Sequence, residues 1–146
     1  MKTEVEQLAT CLVAQGVVAS WIDSQGNTQP APKLQTRWLD ETLAQGNERL
    51  LFIRNVSAGT GDRFTSTPAV SISCMGKTAG DAAVFVEEYA KIIYDKLLEF
   101  TNGDGIVAIE PLGRIGGPYK MESGRFVYDM EFSVIMETGY ILRGMK

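Results

Sequence analysis

The chain contains no histidine. That absence removes the side chain most used as a general base near neutral pH and the commonest metal ligand, so an enzyme here would have to rely on carboxylate or lysine chemistry. Histidine-dependent hydrolase triads are excluded with it. Cysteine is nearly as scarce, with Cys11 on a helical face and Cys74 on the apolar face of a strand pattern. Their spacing fits no disulfide framework, so both read as buried thiols in a reducing compartment. Basic residues are outnumbered 14 to 18, for a net charge of −4. No broad phosphate-binding surface, and hence no specific nucleic-acid binding, is expected. No apolar run approaches the roughly 18 residues of a membrane span. Met1 to Glu6 also lacks the charged-then-apolar layout of a signal peptide, so the expectation is a protein made and kept inside a cell.

What is present is organised around residues 69 to 100. Val70, Ile72 and Cys74 alternate with Ser71, Ser73 and Met75, which predicts a half-buried strand over Ala69–Met75 with a core side and a wetter side. Gly76-Lys77-Thr78 leads into the longest helical pattern, in which Ala82, Phe85, Val86, Tyr89, Ile93, Leu97 and Phe100 share one face. Thr78 followed by Asp81 resembles a capping box, and Asn102-Gly103 supplies a left-handed stop. Glu87, Lys91, Asp95 and Glu99 line the opposite flank, where each opposite-charge pair adds roughly 0.2–0.5 kcal/mol. The 146 residues, 45% hydrophobic, suffice for one core and one domain, 1–146.

Toward the N-terminus, Val5, Leu8, Ala9, Leu12 and Val13 predict an amphipathic helix over residues 4–15 that stops at Gly16. A short apolar run, Val17 to Ile22, precedes residues 23–32, which read as a loop with two prolines. Leu34, Trp38, Leu39 and Leu43 fit a short helix and a bent strand equally. Leu50–Val56 is a strand expected to pair with Ala69–Met75. The segment between them, Ser57–Pro68, is far longer than a tight hairpin needs, and loops of that length are usually functional or disordered, which makes it the first candidate site. Residues 105–112 form a buried strand stopped by Pro111 and Gly113, and residues 114–124 a second glycine-rich connection with room for a hairpin arm. Phe126, Tyr128, Met130, Phe132, Val134 and Met136 then alternate along an antiparallel strand with a solvated outer face. Helices and strands do not alternate as in a doubly wound sheet. The expected fold is therefore α+β, an antiparallel or mostly antiparallel sheet of about four strands covered on one side by two helices.

Motifs with chemical overtones fail on their spacing. Gly76-Lys77-Thr78 ends like a phosphate loop, but that loop requires glycine at position 71, where Ser71 stands. Gly59-Thr60-Gly61 is followed by Phe64 where a dinucleotide motif needs a third glycine. Asp129 and Glu131 project from one side of a strand, as an acid pair or simply as a wet sheet face. No catalytic, metal or cofactor residue is assigned, and no cofactor is expected. The candidate oligomer or partner contacts are Gly59, Asp62, Arg63, Phe64, Arg114, Tyr119 and Arg125, in or beside the two long connections. Arginine is enriched at interfaces, with plain solvation as the competing reading. The alternative function is a small ligand-binding domain or enzyme holding an anion at the Gly76-Lys77-Thr78 helix N-terminus.

Leu51-Phe-Ile-Arg-Asn55, the glycine-rich connection ending at Pro68, the strand and long helix, and Gly116-Gly-Pro118 with Gly124-Arg125 form one ordered set. In this set the chain resembles the tail terminator, or tail completion, family of long-tailed bacteriophages. The resemblance spans about residues 48–137 and leaves Trp21–Leu43 unmatched. It implies an α+β structural subunit, not an enzyme. Such a subunit assembles, typically as a hexameric ring, on the end of the finished tail tube, stops tube growth and offers a docking surface to the head-side connector. The implied partners are further copies of itself, the tail tube protein and the head–tail connector. The implied location is the head-proximal end of the virion tail, after assembly in the host cytoplasm. Arms that order on assembly would account for the two long glycine-rich connections.

Overall fold

The computed structural model describes residues 4–36, 48–61, 65–77, 81–100, 105–113 and 115–137. Helix α1 (Glu4–Ala14) follows its apolar stripe and buries Leu8, Cys11 and Leu12. Gly16 ends it at φ +78°, a conformation that lets the Val17 amide donate to the Leu12 carbonyl at 2.9 Å. Within the stretch expected to be a loop, β1 (Trp21–Ile22) pairs antiparallel with β2 (Thr28–Gln29). Asp23 causes this correction. Its Oδ1 accepts the amides of Gln25 and Asn27, both at 2.9 Å, which folds the backbone into an Asx-type turn.

The remaining strands are β3 (Lys33–Thr36), β4 (Leu50–Gly61), β5 (Thr65–Met75), β6 (Ile106–Pro111), β7 (Gly116–Lys120) and β8 (Phe126–Glu137). They form a six-stranded sheet in the order β3-β4-β5-β8-β6, with β7 also paired to β8. The α+β class stands, but the four-stranded antiparallel sheet is corrected. β3 runs parallel to β4, and the second glycine-rich connection contributes β7. Leu34 thus belongs to a strand, while Trp38, Leu39 and Leu43 lie outside the described residues. β4 and β5 pair as expected, with Ile53 opposite Ile72 and Leu51 opposite Cys74.

Helix α2 (Ala83–Leu98) and α1 cover the same face of the sheet. Val86, Tyr89, Ala90, Ile93 and Leu97 of α2 join Leu8 and Leu12 of α1 over Ile53, Val70, Ile72, Met130 and Phe132. Each large side chain so buried contributes about 1.5–3 kcal/mol. The reverse face is drier than its alternation suggests. Ser71 and Ser73 are buried there, and Leu50, Phe52, Met75 and Val127 form a second cluster with Met121 against it. Both cysteines are free and buried as expected, and burial pushes the Cys74 thiol far up.

The capping box is not formed. Ala82 is the N-cap of α2 and its methyl group caps nothing, while Asp81 before it is paired with an arginine described below. The helix ends through the Glu99 amide, which donates to the Asp95 carbonyl at 3.1 Å. Thr78 and Asn102-Gly103 lie outside the described residues.

Candidate assembly surface

The segment Ser57–Pro68 is largely not a loop. β4 and β5 continue through it as a ladder, with Ser57 opposite Ala69, Thr60 opposite Thr67 and Gly61 opposite Ser66. Its glycines and small polar residues masked the strand signal, and two register shifts, at Asn55/Ser57 and Ser57/Thr60, break the alternation that would have marked it. β8 accompanies the hairpin to its end, where Glu137 pairs with Thr65. Gly59 therefore lies inside β4, while Asp62, Arg63 and Phe64 lie outside the described residues.

Tyr119 and Arg125 belong to the opposite end of the sheet. Tyr119 sits in β7 opposite Val127 and is 56% exposed, as a contact residue must be. β7 approaches β8 closely at Gly117, where φ is +131° and an added Cβ would stand 2.8 Å from the Val127 carbonyl oxygen. Arg125 is a correction. It is 1% exposed, and its Nη1 donates to the carbonyls of Glu48 and Gly76, both at 2.7 Å. It ties the approach to β4, the end of β5 and the start of β8 together, so its role is structural. Arg114 lies outside the described residues.

Beside β7 the structure opens a cleft of about 700 Å³, between it and α2. Glu87, Lys91, Tyr94 and Asp95 line the helix side, Ile115, Gly117 and Pro118 the strand side, and Tyr128 the floor. Tyr94 is held by its ring against Phe132, at 5.6 Å between centroids, and its hydroxyl donates to the Gly113 carbonyl at 3.4 Å. Burial and the Glu87 carboxylate, 3.5 Å away, both push the Tyr128 phenol up, so it stays a neutral donor. Sequence reading missed this cleft because Tyr128 reads as a core member of its strand and Tyr94 lies off the apolar stripe of its helix. Only the placement of β7 turns them into walls.

A polar network also escaped the sequence. Arg49 and Asp81 form a bidentate pair, Nε to Oδ2 and Nη2 to Oδ1, both 3.0 Å, with side chains only 4% and 5% exposed. Gln29 accepts from Arg49 Nη1 at 3.0 Å and donates to Asp23 Oδ2 at 2.8 Å. The guanidinium also lies over the rings of Phe85 and Trp21, at 4.7 and 5.7 Å. The Lys77 amide donates to Asp81 Oδ2 at 2.8 Å, so the backbone donor that an anion would use already holds a carboxylate. Among the described residues no cluster could hold a metal ion, and no helix is long and apolar enough to cross a membrane.

With no metal-binding cluster among the described residues, the comparison with known families is decisive. A family model described as phage tail termination protein matches residues 12–138. The chain belongs to the phage tail termination family. The match takes in Trp21–Leu43, the segment left outside the resemblance read from residues 48–137. A search of curated proteins finds no match. Membership makes the chain a structural component of the phage tail.

Proposed function

We propose that this tail termination protein acts by assembling as a closed ring, typically a hexamer, on the head-proximal end of the tail tube. There it stops tube growth and presents a docking surface to the head–tail connector. The observation that carries the reading is the family match over residues 12–138, supported by a continuous sheet that sets the far end of the β4–β5 ladder and the β7 cleft at opposite ends. Head-to-tail use of two different patches is what closes a ring when the rotation per subunit is right. Its partners are copies of itself, the tail tube protein and the connector, first in the host cytoplasm and then in the virion. No enzymatic step or cofactor is part of this role. The competing anion-binding reading loses its donor at Lys77, whose amide is bound to Asp81.

The test is native mass spectrometry and electron microscopy of the chain with tail tubes of its own phage. Rings seated on one tube end, with tube length fixed by their addition, are the expected result. A chain that leaves tube growth unchanged and binds neither end would overturn the reading.

A further inference from the structure

We infer that Glu110 and Pro111 close the outer edge of β6 to pairing with the same strand of a second copy of this chain. The inference stands on the geometry of that edge and not on the proposed ring. β6 ends the sheet order on its side, and among the described residues nothing pairs with its outer edge. The sequence pattern makes Pro111 a strand stop, but the ladder runs past it. Pro111 lies opposite Phe132, and the next amide, Leu112, donates to the Glu131 carbonyl at 2.9 Å. Alternate residues of an antiparallel strand turn their backbone groups to opposite sides. With Leu112, and Glu110 two residues before it, turned toward β8, the backbone groups of Ile109 and Pro111 face outward.

An open edge here would be a hazard. Ile106-Val107-Ala108-Ile109 is an uncharged apolar run rich in β-branched residues, and Val107 and Leu112 expose apolar surface beside it, at 43% and 53%. Such a run on an edge is a template for pairing with another chain. The two residues after it remove the means. When two copies lie antiparallel about a twofold axis at Glu110, Ile109 of each faces Pro111 of the other, and each such pair should exchange two N–H to carbonyl bonds. Proline has no N–H, so one bond of each pair is lost, and its ring stands where the hydrogen would point. On the axis two exposed Glu110 side chains are directly opposed, and like charges so placed repel. Moving the axis toward Ile109 carries the pairing onto the register shift between Ile106 and Ala108, where the strand is no longer regular. The device keeps a tail component free for its partners, since copies joined sheet to sheet would be withdrawn from assembly.

The experiment restores the missing donor in the full chain. Pro111→Thr and Pro111→Ala each return an N–H, one with a strand-forming side chain and one with a methyl group. Each is compared with the parent by thermal melting, sedimentation velocity and amide hydrogen exchange. The expected result is an unchanged melt, self-association about tenfold stronger than the parent's at the same concentration, and slowed exchange of the Ile109 amide in the associated form. Adding Glu110→Gln to Pro111→Thr should strengthen association again, by a few-fold. Variants that melt and sediment as the parent does overturn the proposal. Stronger association with the Ile109 amide exchanging as before places the contact elsewhere and overturns it too. No gain from Glu110→Gln overturns the register about Glu110. A lower melt in both single variants assigns Pro111 to the fold itself and overturns the device. None of these outcomes bears on the ring, whose test uses tail tubes.

Discussion

Asp81→Ala is expected to unfold the chain by far more than a surface charge would. Asp81 and Arg49 are almost fully out of water and joined by two bonds of 3.0 Å. Desolvation of both groups offsets most of their attraction, so the intact pair contributes little beyond an apolar pair of the same shape. Removing one partner, by contrast, leaves a buried charge uncompensated, at a cost of about 3–5 kcal/mol. In Asp81→Ala the guanidinium keeps only Gln29 and the faces of Trp21 and Phe85, and the Lys77 amide loses its acceptor. For a domain of this size each kcal/mol shifts Tm by about 2–4 °C, so the expected drop is roughly 10 °C. Arg49→Met combined with Asp81→Leu removes both charges and should recover most of that loss. Urea unfolding of the parent, Arg49→Met, Asp81→Leu and the double variant gives the coupling directly. An Asp81→Ala cost below about 1 kcal/mol, or a double variant as unstable as the sum of the singles, would refute the claim that this pair is desolvated.

Three further outcomes are expected. Arg125→Ala should cost about 1–3 kcal/mol in chemical denaturation, because it orphans the Glu48 and Gly76 carbonyls; a neutral result would return Arg125 to the surface role the sequence suggested. Asp23 is held below the usual carboxylate range, chiefly by the Asn27 amide and then the Gln29 side chain. Its contribution to stability is therefore full above the unfolded value of about 4 and is lost as pH falls through the lower folded value. Asp23→Asn should flatten that acid limb, and an unchanged pH profile would contradict the turn geometry. Gly117→Ala should detach β7 from Val127 and be read as faster amide exchange over residues 116–120, with α2 protected as before.

The parts of the fold legible in the sequence were those fixed by local periodicity over a long stretch. The stripes of α1 and α2 and the alternation of β8 each bury one face, and a residue's face follows from its spacing alone. Asp81 shows where that logic ends. Its position after Thr78 matched a cap, yet its partner is Arg49, far away in the chain and visible only once β4 and the start of α2 are side by side. Arg125 fails for the related reason that burial of a charge depends on which carbonyls converge on it. Ser57–Pro68 was misread because glycines and bulges erase alternation without ending a ladder, since backbone pairing is indifferent to side chains. Among the candidate contacts, Tyr119 is on the surface and Gly59 is in a strand, and the cleft between α2 and β7 is a product of topology that no single segment carries.

That misread ladder changes how assembly is to be understood. Flexible arms would let each subunit meet its neighbour at many angles, and ordering them would cost about 1–2 kcal/mol per residue. A heterologous contact repeated at variable angle gives open chains as readily as rings. In this chain most of the segment is already hydrogen-bonded into β4 and β5, and β8 runs unbroken from the cleft floor at Tyr128 to the turn at Glu137. The Gly61–Ser66 end of the β4–β5 ladder and the cleft are thus joined by one sheet, whose register shifts at Asn55/Ser57 and Ser57/Thr60 favour a local bend. In the proposed ring, subunit number then follows from sheet geometry rather than from the strength of the contact. Substitutions that alter the bulges should then change how many subunits close the proposed ring, counted by electron microscopy, and an unchanged count would refute this argument.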